Sequence, residues 1–293
     1  MIGGAAARPG EALAGPAAAR ALAFRPTSLS GSAAVLAMLV VALTAPWLPV
    51  PGPNDLDLVN RLQGPGASHW FGTDDLGRDV LARVVHGARV SLLVGSCVSG
   101  FALLAGGLIG LLSGYFTRLD NVLMRVMDGF MAFPNIVLAI LLMATLGASV
   151  TGIVVALGVT YAPRMARVVR SAVLVVREAS YVESARAIGA TDTSILGRYI
   201  TRNCVSPIIV QWTFIFAYAI LGEASLSFLG VGVPPEVPTW GTILSEGRAY
   251  LDRAAWMTLF PGLAIFWTVL GLNLLGDGVR DSLDPNMRKA VGL

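Results

Sequence analysis

The chain has 293 residues, 55% of them hydrophobic and only 13% charged, with a formal net charge of +3. Soluble domains carry about 25% charged residues, so this composition excludes a soluble domain. Several uncharged runs long enough to cross a bilayer make it an integral membrane protein. The arginines sit between apolar runs rather than in a basic stripe interleaved with aromatics, which excludes a nucleic-acid binder.

In chain order, residues 1–30 are rich in Ala, Gly and Pro, carry Arg8, Arg20 and Arg25, and hold no long apolar core. They read as a cytoplasmic tail before an uncleaved first span, not as a signal peptide. A helical span needs about 20 mostly apolar residues. Span 1 is expected from Ser32 to Val50, and span 2 from Val90 to the glycine-rich end at Tyr115. The uncharged stretch after Gly129 is too long for one helix, and Gly147 to Gly152 divides it into span 3 (Asn121 to Leu146) and span 4 (Gly152 to Val169). Span 4 must continue past Arg164 and Arg167, whose side chains snorkel to the interface. Span 5 is expected from Pro207 to Gly230 and span 6 from Ala254 to Leu275. With the N-terminus inside, fifteen of the 21 basic residues fall on cytoplasmic segments, so both termini are expected there.

Between spans 1 and 2, residues 31–88 combine the first span with an external segment. Thr73 is the expected N-cap of an amphipathic interfacial helix, with Asp74 and Asp75 in its first turn. Leu76, Val80, Val84 and Ala88 recur every four residues along it, and Arg78, Asp79, Arg83 and His86 lie elsewhere on its surface. Residues 89–278 form the core, and 279–293 a cytoplasmic C-terminal tail. Within the core, the cytoplasmic stretch 170–203 is long, Arg-rich and helical in pattern, which a transporter keeps only if something docks on it.

The sequence YVESARAIGATDTSILGRYITR occupies Tyr181 to Arg202. A short helix ends at Gly189, which can adopt the left-handed backbone, and Thr191 or Asp192 can cap a second helix. Small Ser184 and Ala185 beside Glu183 allow another surface to approach.

This segment resembles the coupling loop of binding-protein-dependent ABC importer permeases, whose motif reads Glu-Ala-Ala, three residues, Gly, nine residues, Ile-x-Leu-Pro. Glu183, Ala185 and Gly189 match; Ser184 replaces Ala, and Tyr199, Thr201 and Arg202 stand for Ile, Leu and Pro. More of the chain resembles the C-type subunit of dipeptide, oligopeptide and nickel importers: the external segment His69 to Gly95, Phe133–Pro134, Glu223 to Pro235, Pro238 to Gly241 and Gly276 to Pro285.

The resemblance implies an all-α, six-span type I ABC importer permease. It implies that Tyr181, Glu183, Ser184, Ala185, Ile188, Gly189 and Asp192 form the ATPase-coupling contact. The implied partners are a homologous second permease subunit in a heterodimer, two ATPase domains holding ATP and Mg, and an extracytoplasmic solute-binding protein. The chain itself lacks a GxxxxGK[ST] run, so hydrolysis and its cofactors are expected elsewhere. Dipeptides or short oligopeptides are the expected cargo; a nickel chelate, haem or another small solute is the alternative.

Phe133, Pro134 and Glu223 are candidate path or gating residues. An intramembrane carboxylate is a functional candidate by default, but for Glu223 a helix-to-helix hydrogen bond is the favoured reading. Arg125 and Asp128 are expected to pair on one helix face, and Pro134 and Pro163 to kink their spans. Trp256 reads as an interfacial anchor. Cys97 and Cys204 read as small buried hydrophobes. His69 and His86, without a third ligand nearby, do not read as a metal site. A secondary transporter would show inverted repeats, and residues 32–146 and 152–275 show none. An intramembrane protease needs a nucleophile–base pair within the spans, and both histidines lie outside them.

Overall fold

The computed structural model describes residues 26–283. Residues 1–25 and 284–293, which hold most of both expected tails, lie outside the described residues. Among the described residues the regular elements are helices, joined by one isolated β-bridge between Thr73 and Asp79. Hydrocarbon offers no water to satisfy backbone N–H and C=O groups, so a span must close its own hydrogen bonds, as a helix does.

The helices are α1 (Pro26–Thr44), α2 (Val80–Tyr115), α3 (Thr117–Met131), α4 (Asn135–Leu146), α5 (Val150–Arg177), α6 (Ser180–Ala187), α7 (Val205–Phe228), α8 (Trp240–Gly247) and α9 (Trp256–Leu283). Five of them, α1, α2, α5, α7 and α9, are long and apolar enough to cross a membrane. The pair α3 and α4, bent by 93°, is together long and apolar enough for a broken span or a re-entrant segment. The expected continuous span 3 is therefore corrected. Pro134 supplies no N–H and biases Phe133 away from the helical region, so the chain breaks at Ala132–Pro134 instead of kinking. Pro163 acts differently, lying inside an unbroken α5 that runs on to Arg177. Helix α1 starts earlier than expected, and α9 continues to Leu283, through the first residues assigned to the C-terminal tail.

The 36 residues of α2 measure about 54 Å at 1.5 Å per residue, against a hydrocarbon core of about 30 Å. Its first turns therefore stand outside the bilayer. Helix α2 makes its most extensive contact with α5. Glycine explains how closely the two approach. A Cβ on Gly110 would lie 2.5 Å from the Ala166 carbonyl oxygen, and one on Gly114 would lie 2.6 Å from Val173 Cβ. Without a hydrophobic force between helices in lipid, such close approach supplies the attraction.

Two apolar clusters flank this axis. One joins α2, α5 and α7 toward the cytoplasm through Val98, Leu157, Met165, Val173, Ile195 and Cys204. The other joins α1, α2, α7, α8 and α9 through Leu92, Ile220, Trp240 and Met257. Cys204 is buried as expected, but Cys97 is exposed on α2.

The external segment corrects the sequence reading most. Thr73 caps no helix. Its hydroxyl donates to the Asn60 carbonyl oxygen at 2.5 Å and accepts from the Gln63 N–H at 2.8 Å. The cap is Asp79, whose carboxylate accepts from the Ala82 N–H at 2.8 Å. The interfacial helix is thus the outer end of α2, and residues 74–79 form a turn. Val80, Val84 and Ala88 do face inward, but Arg78 and Arg83 are buried rather than exposed. Trp256 Nε1 donates to the Thr73 carbonyl at 3.0 Å, tying α9 to this turn.

Candidate functional site

The cytoplasmic loop between α5 and α7 is built by local rules. Val182 and Ala185 turn α6 inward onto the core cluster, while Glu183, Ser184, Arg186 and Ala187 face out. Ala185 is 4% exposed, so it is not part of an outward small-residue surface as the sequence suggested. With hydrophobic Val182 it anchors the helix. Tyr181 is half-buried, and burial pushes its phenol above the ordinary value.

Helix α6 ends in a Schellman motif. Gly189 takes φ +85°, its N–H donates to the Arg186 carbonyl, and the Ala190 N–H donates to the Ala185 carbonyl, both at 3.1 Å. The turn leaves Ile188, the C-cap residue of α6, 83% exposed to solvent. Thr191 then caps the next helical stretch, its hydroxyl accepting from the Ser194 N–H at 3.4 Å. That stretch is π-helical from Ile195 to Ile200. The wide turn coincides with the half of the motif where Tyr199, Thr201 and Arg202 replace the family residues, and the Thr201 hydroxyl donates to the Leu196 carbonyl five residues back at 2.8 Å.

The loop is moored at few points. The Tyr115 hydroxyl, at the end of α2, donates to Asp192 at 2.5 Å. Arg177 Nη1 donates to the Gly114 carbonyl at 2.9 Å. Beside it, Arg170 grips Asp120 of α3 through Nε and Nη2, at 2.5 and 2.6 Å. Asp128 pairs with Arg167 of α5 at 2.7 Å, not with Arg125; the tertiary neighbour displaces the expected partner on the same helix. Phe133 and Pro134 stand exposed at the α3–α4 break.

Glu223 lies at the outer end of α7 and is 0% exposed. Its Oε1 accepts from Thr239 at 2.7 Å and from Ser227 at 2.9 Å, and its Oε2 from Ser91 at 3.4 Å. The carboxylate thus joins α2, α7 and the cap of α8, fulfilling the helix-to-helix hydrogen bond read from the sequence.

Close by, Asp74 Oδ2 receives Arg78 Nε at 2.6 Å and Arg83 Nη1 at 2.9 Å, and both arginines also reach Glu246 at the end of α8. His69 Nδ1 lies 2.9 Å from Asp79. Sequence reasoning missed this buried ion cluster; the run Asp-Asp-Leu-Gly-Arg-Asp, with opposite charges in one turn, was its only trace. The cluster borders an open external depression of about 340 Å³, lined in part by Asp75, Arg78, Glu236 and Glu246.

Residues 104–289 match the family described as "Binding-protein-dependent transport system inner membrane component". The chain belongs to this family. It is thus a multi-pass permease of the cytoplasmic membrane, and the matched residues include the loop of α6 and Glu223.

The permease is 46% identical over 270 residues to a putative peptide transport system permease protein of Brucella suis, covering 92% of this chain and 91% of the relative. It is 42% identical to a dipeptide transport system permease protein of Alkalihalophilus pseudofirmus, covering 89% and 86%. It is 43% identical to a glutathione transport system permease protein of Escherichia coli, covering 90% and 89%. A chain of the methionine ABC transporter MetNI in an inward-facing conformation superposes with a TM-score of 0.58, covering 69% of this chain and 97% of that one. At 20% identity that likeness speaks for the fold alone, the type I ABC permease fold.

Proposed function

We propose that this permease is one half of the membrane pathway of an ATP-driven importer for dipeptides or short peptides. Relatives covering nearly the whole chain carry peptide, dipeptide and glutathione in their names, and all three cargoes share amide-linked, zwitterionic chemistry. A homologous, non-identical second permease completes the path. An extracytoplasmic binding protein delivers the cargo to the outer face.

In this reading α6 is the coupling helix, seated in a groove of a separate ATPase subunit. Two ATPase domains hold ATP and Mg, and we assign no nucleotide site to this chain. The observation that carries the assignment is the α6 tip. An aliphatic side chain as exposed as Ile188, set on a capped turn inside the Glu183-to-Gly189 motif, would gain from burial against a partner. Tyr181, Glu183, Ser184 and Asp192 flank the tip, and Gly189 sets the direction of the turn. Val182 and Ala185 fasten the helix to the core, so a push on the tip moves the chain behind it. Closure of the ATPases would carry α6 and swing the spans between outward-open and inward-open arrangements. Phe133 and Pro134, at the α3–α4 break, are the proposed gating point.

The test is affinity purification from the native membrane under mild detergent, for wild type and for Ile188→Glu with Glu183→Ala. The expected result is co-purification of an ATPase, a second permease and a binding protein with wild type, and selective loss of the ATPase from the double variant. Isolation of the wild-type chain alone, or as a homodimer, would overturn the assignment. Uptake of labelled dipeptide by vesicles of the whole assembly tests the cargo, and uptake of none of several short peptides would sink that part.

A further inference from the structure

Helix α8 does not cross the membrane, yet it is fixed at both ends more firmly than a surface helix requires. At its C-terminal end Glu246 meets Arg78 and Arg83. At its N-terminal end Thr239 and Thr242 form a reciprocal capping box, and the same Thr239 hydroxyl donates to Glu223 at 2.7 Å. The Trp240 N–H donates to Ser91 Oγ of α2 at 3.1 Å, and its indole N–H to the Val84 carbonyl at 3.0 Å. Ser91 in turn reaches Glu223. A Cβ on Gly241 would lie 2.7 Å from Ala224 Cα and 3.1 Å from Glu223 Oε1, so α8 lies almost backbone to backbone on α7. Glu223 is the centre of this arrangement. Among the described residues no basic side chain forms an ion pair with it; every partner the structure gives it is a hydroxyl.

We propose that Glu223 is a positioning residue: its carboxyl is the hydrogen-bond hub that makes α8 move as one body with the outer ends of α2 and α7, and it acts through geometry rather than through charge. The inference rests on the importer reading for its consequence. A binding protein that presses on the outer face then moves α2 and α7 together, and the docking signal reaches the ATPases. Without the hub, α8 slips on the spans and docking no longer stimulates hydrolysis.

Glutamine separates geometry from charge. In Glu223→Gln the side-chain carbonyl can accept from Thr239 and Ser227 as the carboxyl does, and the side-chain NH2 can donate to Ser91 Oγ, whose own hydroxyl is free to turn back to its helix. Alanine leaves all three hydroxyls without that partner.

The experiment uses the assembled importer with its binding protein, carrying wild type, Glu223→Gln or Glu223→Ala, and reads two quantities. The first is hydrogen exchange over residues 240–247. The second is the ratio of binding-protein-stimulated to basal ATP hydrolysis. We expect Glu223→Ala to lose exchange protection and to lower the ratio at least about tenfold with basal hydrolysis unchanged, about tenfold being the scale of even one of the three lost contacts. Glu223→Gln should stay within about twofold of wild type in both.

Glu223→Gln as defective as Glu223→Ala, with protection intact, would show that the charge matters and overturn the proposal. So would a normal ratio in a Glu223→Ala complex that has lost protection. If wild type shows no stimulation at all, the importer reading fails separately, and the exchange arm still decides the hub, since equal protection in all three proteins overturns it. Should Glu223→Ala not assemble, Thr239→Val against Thr239→Ser poses the same question from the other end of the 2.7 Å bond.

Discussion

On the outside of this permease, Arg83 and Glu246 meet across 163 positions of sequence, and Ser91 and Glu223 across 132. On the inside, the loop that carries α6 is shaped by bonds between residues three to five apart and moored to the rest by contacts such as Tyr115–Asp192. The outer region buries its charges against each other, with Asp74 and Arg83 both 0% exposed. The inner loop instead leaves Glu183 and Ile188 in solvent. The outer region pairs most of its buried charge within the chain, while Asp75 Oδ1 and Arg83 Nε lie buried with no partner among the described residues. The inner one takes its shape from neighbouring residues and leaves Glu183 and Ile188 in solvent.

The contrast is broken most severely at Arg83. Arg83→Leu leaves Asp74 and Glu246 sharing Arg78 alone; removing a partner from a fully buried pair costs about 3–5 kcal/mol, and with Arg78 kept and Glu246 20% exposed the expected cost lies toward the lower end. A large fall in the melting temperature of the detergent-purified protein is expected, with exchange in residues 178–204 unchanged below the melt. A melt like that of wild type would mean that the cluster is not what holds the outer region.

Two glycines with similar φ sharpen the comparison. Gly77 has φ +75° and Gly189 φ +85°. A Cβ on Gly77 would fall onto the Asp57 carbonyl, whereas one on Gly189 would meet nothing within 4 Å. Gly77→Ala therefore adds a backbone collision to left-handed strain and is expected to cost about 3 kcal/mol. Gly189→Ala carries the strain alone, about 1–2 kcal/mol, and should loosen the loop without lowering the melt of the whole. Equal effects at the two positions would contradict the difference in packing.

The same contrast governs what the sequence could say. Gly189 and the Thr191 cap were legible because a Schellman turn and an N-cap are written in neighbouring residues. The apolar lengths of α1, α2, α5, α7 and α9 were legible because a bilayer demands them. The inward turn of Ala185 was not, since an eight-residue helix in which Ser184 and Ala185 are neighbours presents either to solvent equally well until the core position of Val182 is known. Asp74, Arg78 and Arg83 misled for a stronger reason. Charges lying off an apolar four-residue repeat read as a solvated face unless Glu246, far along the chain, is known to arrive opposite them. Asp128 misled in the same way, because Arg125 was the nearest base in sequence and Arg167 the nearest in space. Proline alone does not separate a kink from a 93° break, since Pro163 sits inside an unbroken helix while Pro134 stands at the bend.

The smallest expected effect lies where the two regions meet. Helix α2 begins beside the outer cluster at Asp79 and ends at Tyr115, whose hydroxyl holds Asp192 of the inner loop. Tyr115→Phe removes that bond and the hydroxyl's weaker interaction with Arg186, while the ring keeps its edge contact with Phe116 at 4.9 Å between centroids. A single hydrogen bond contributes about 0.5–1.5 kcal/mol, and the exposure of Asp192 places this one toward the low end. The melt should therefore barely move, while hydrogen exchange over residues 189–194 should quicken and exchange over residues 240–247 should stay as in wild type. Faster exchange in both places would mean that α2 transmits even this small release to the outer region, and that the inner loop and the outer cluster are one mechanical unit rather than two joined by a rod.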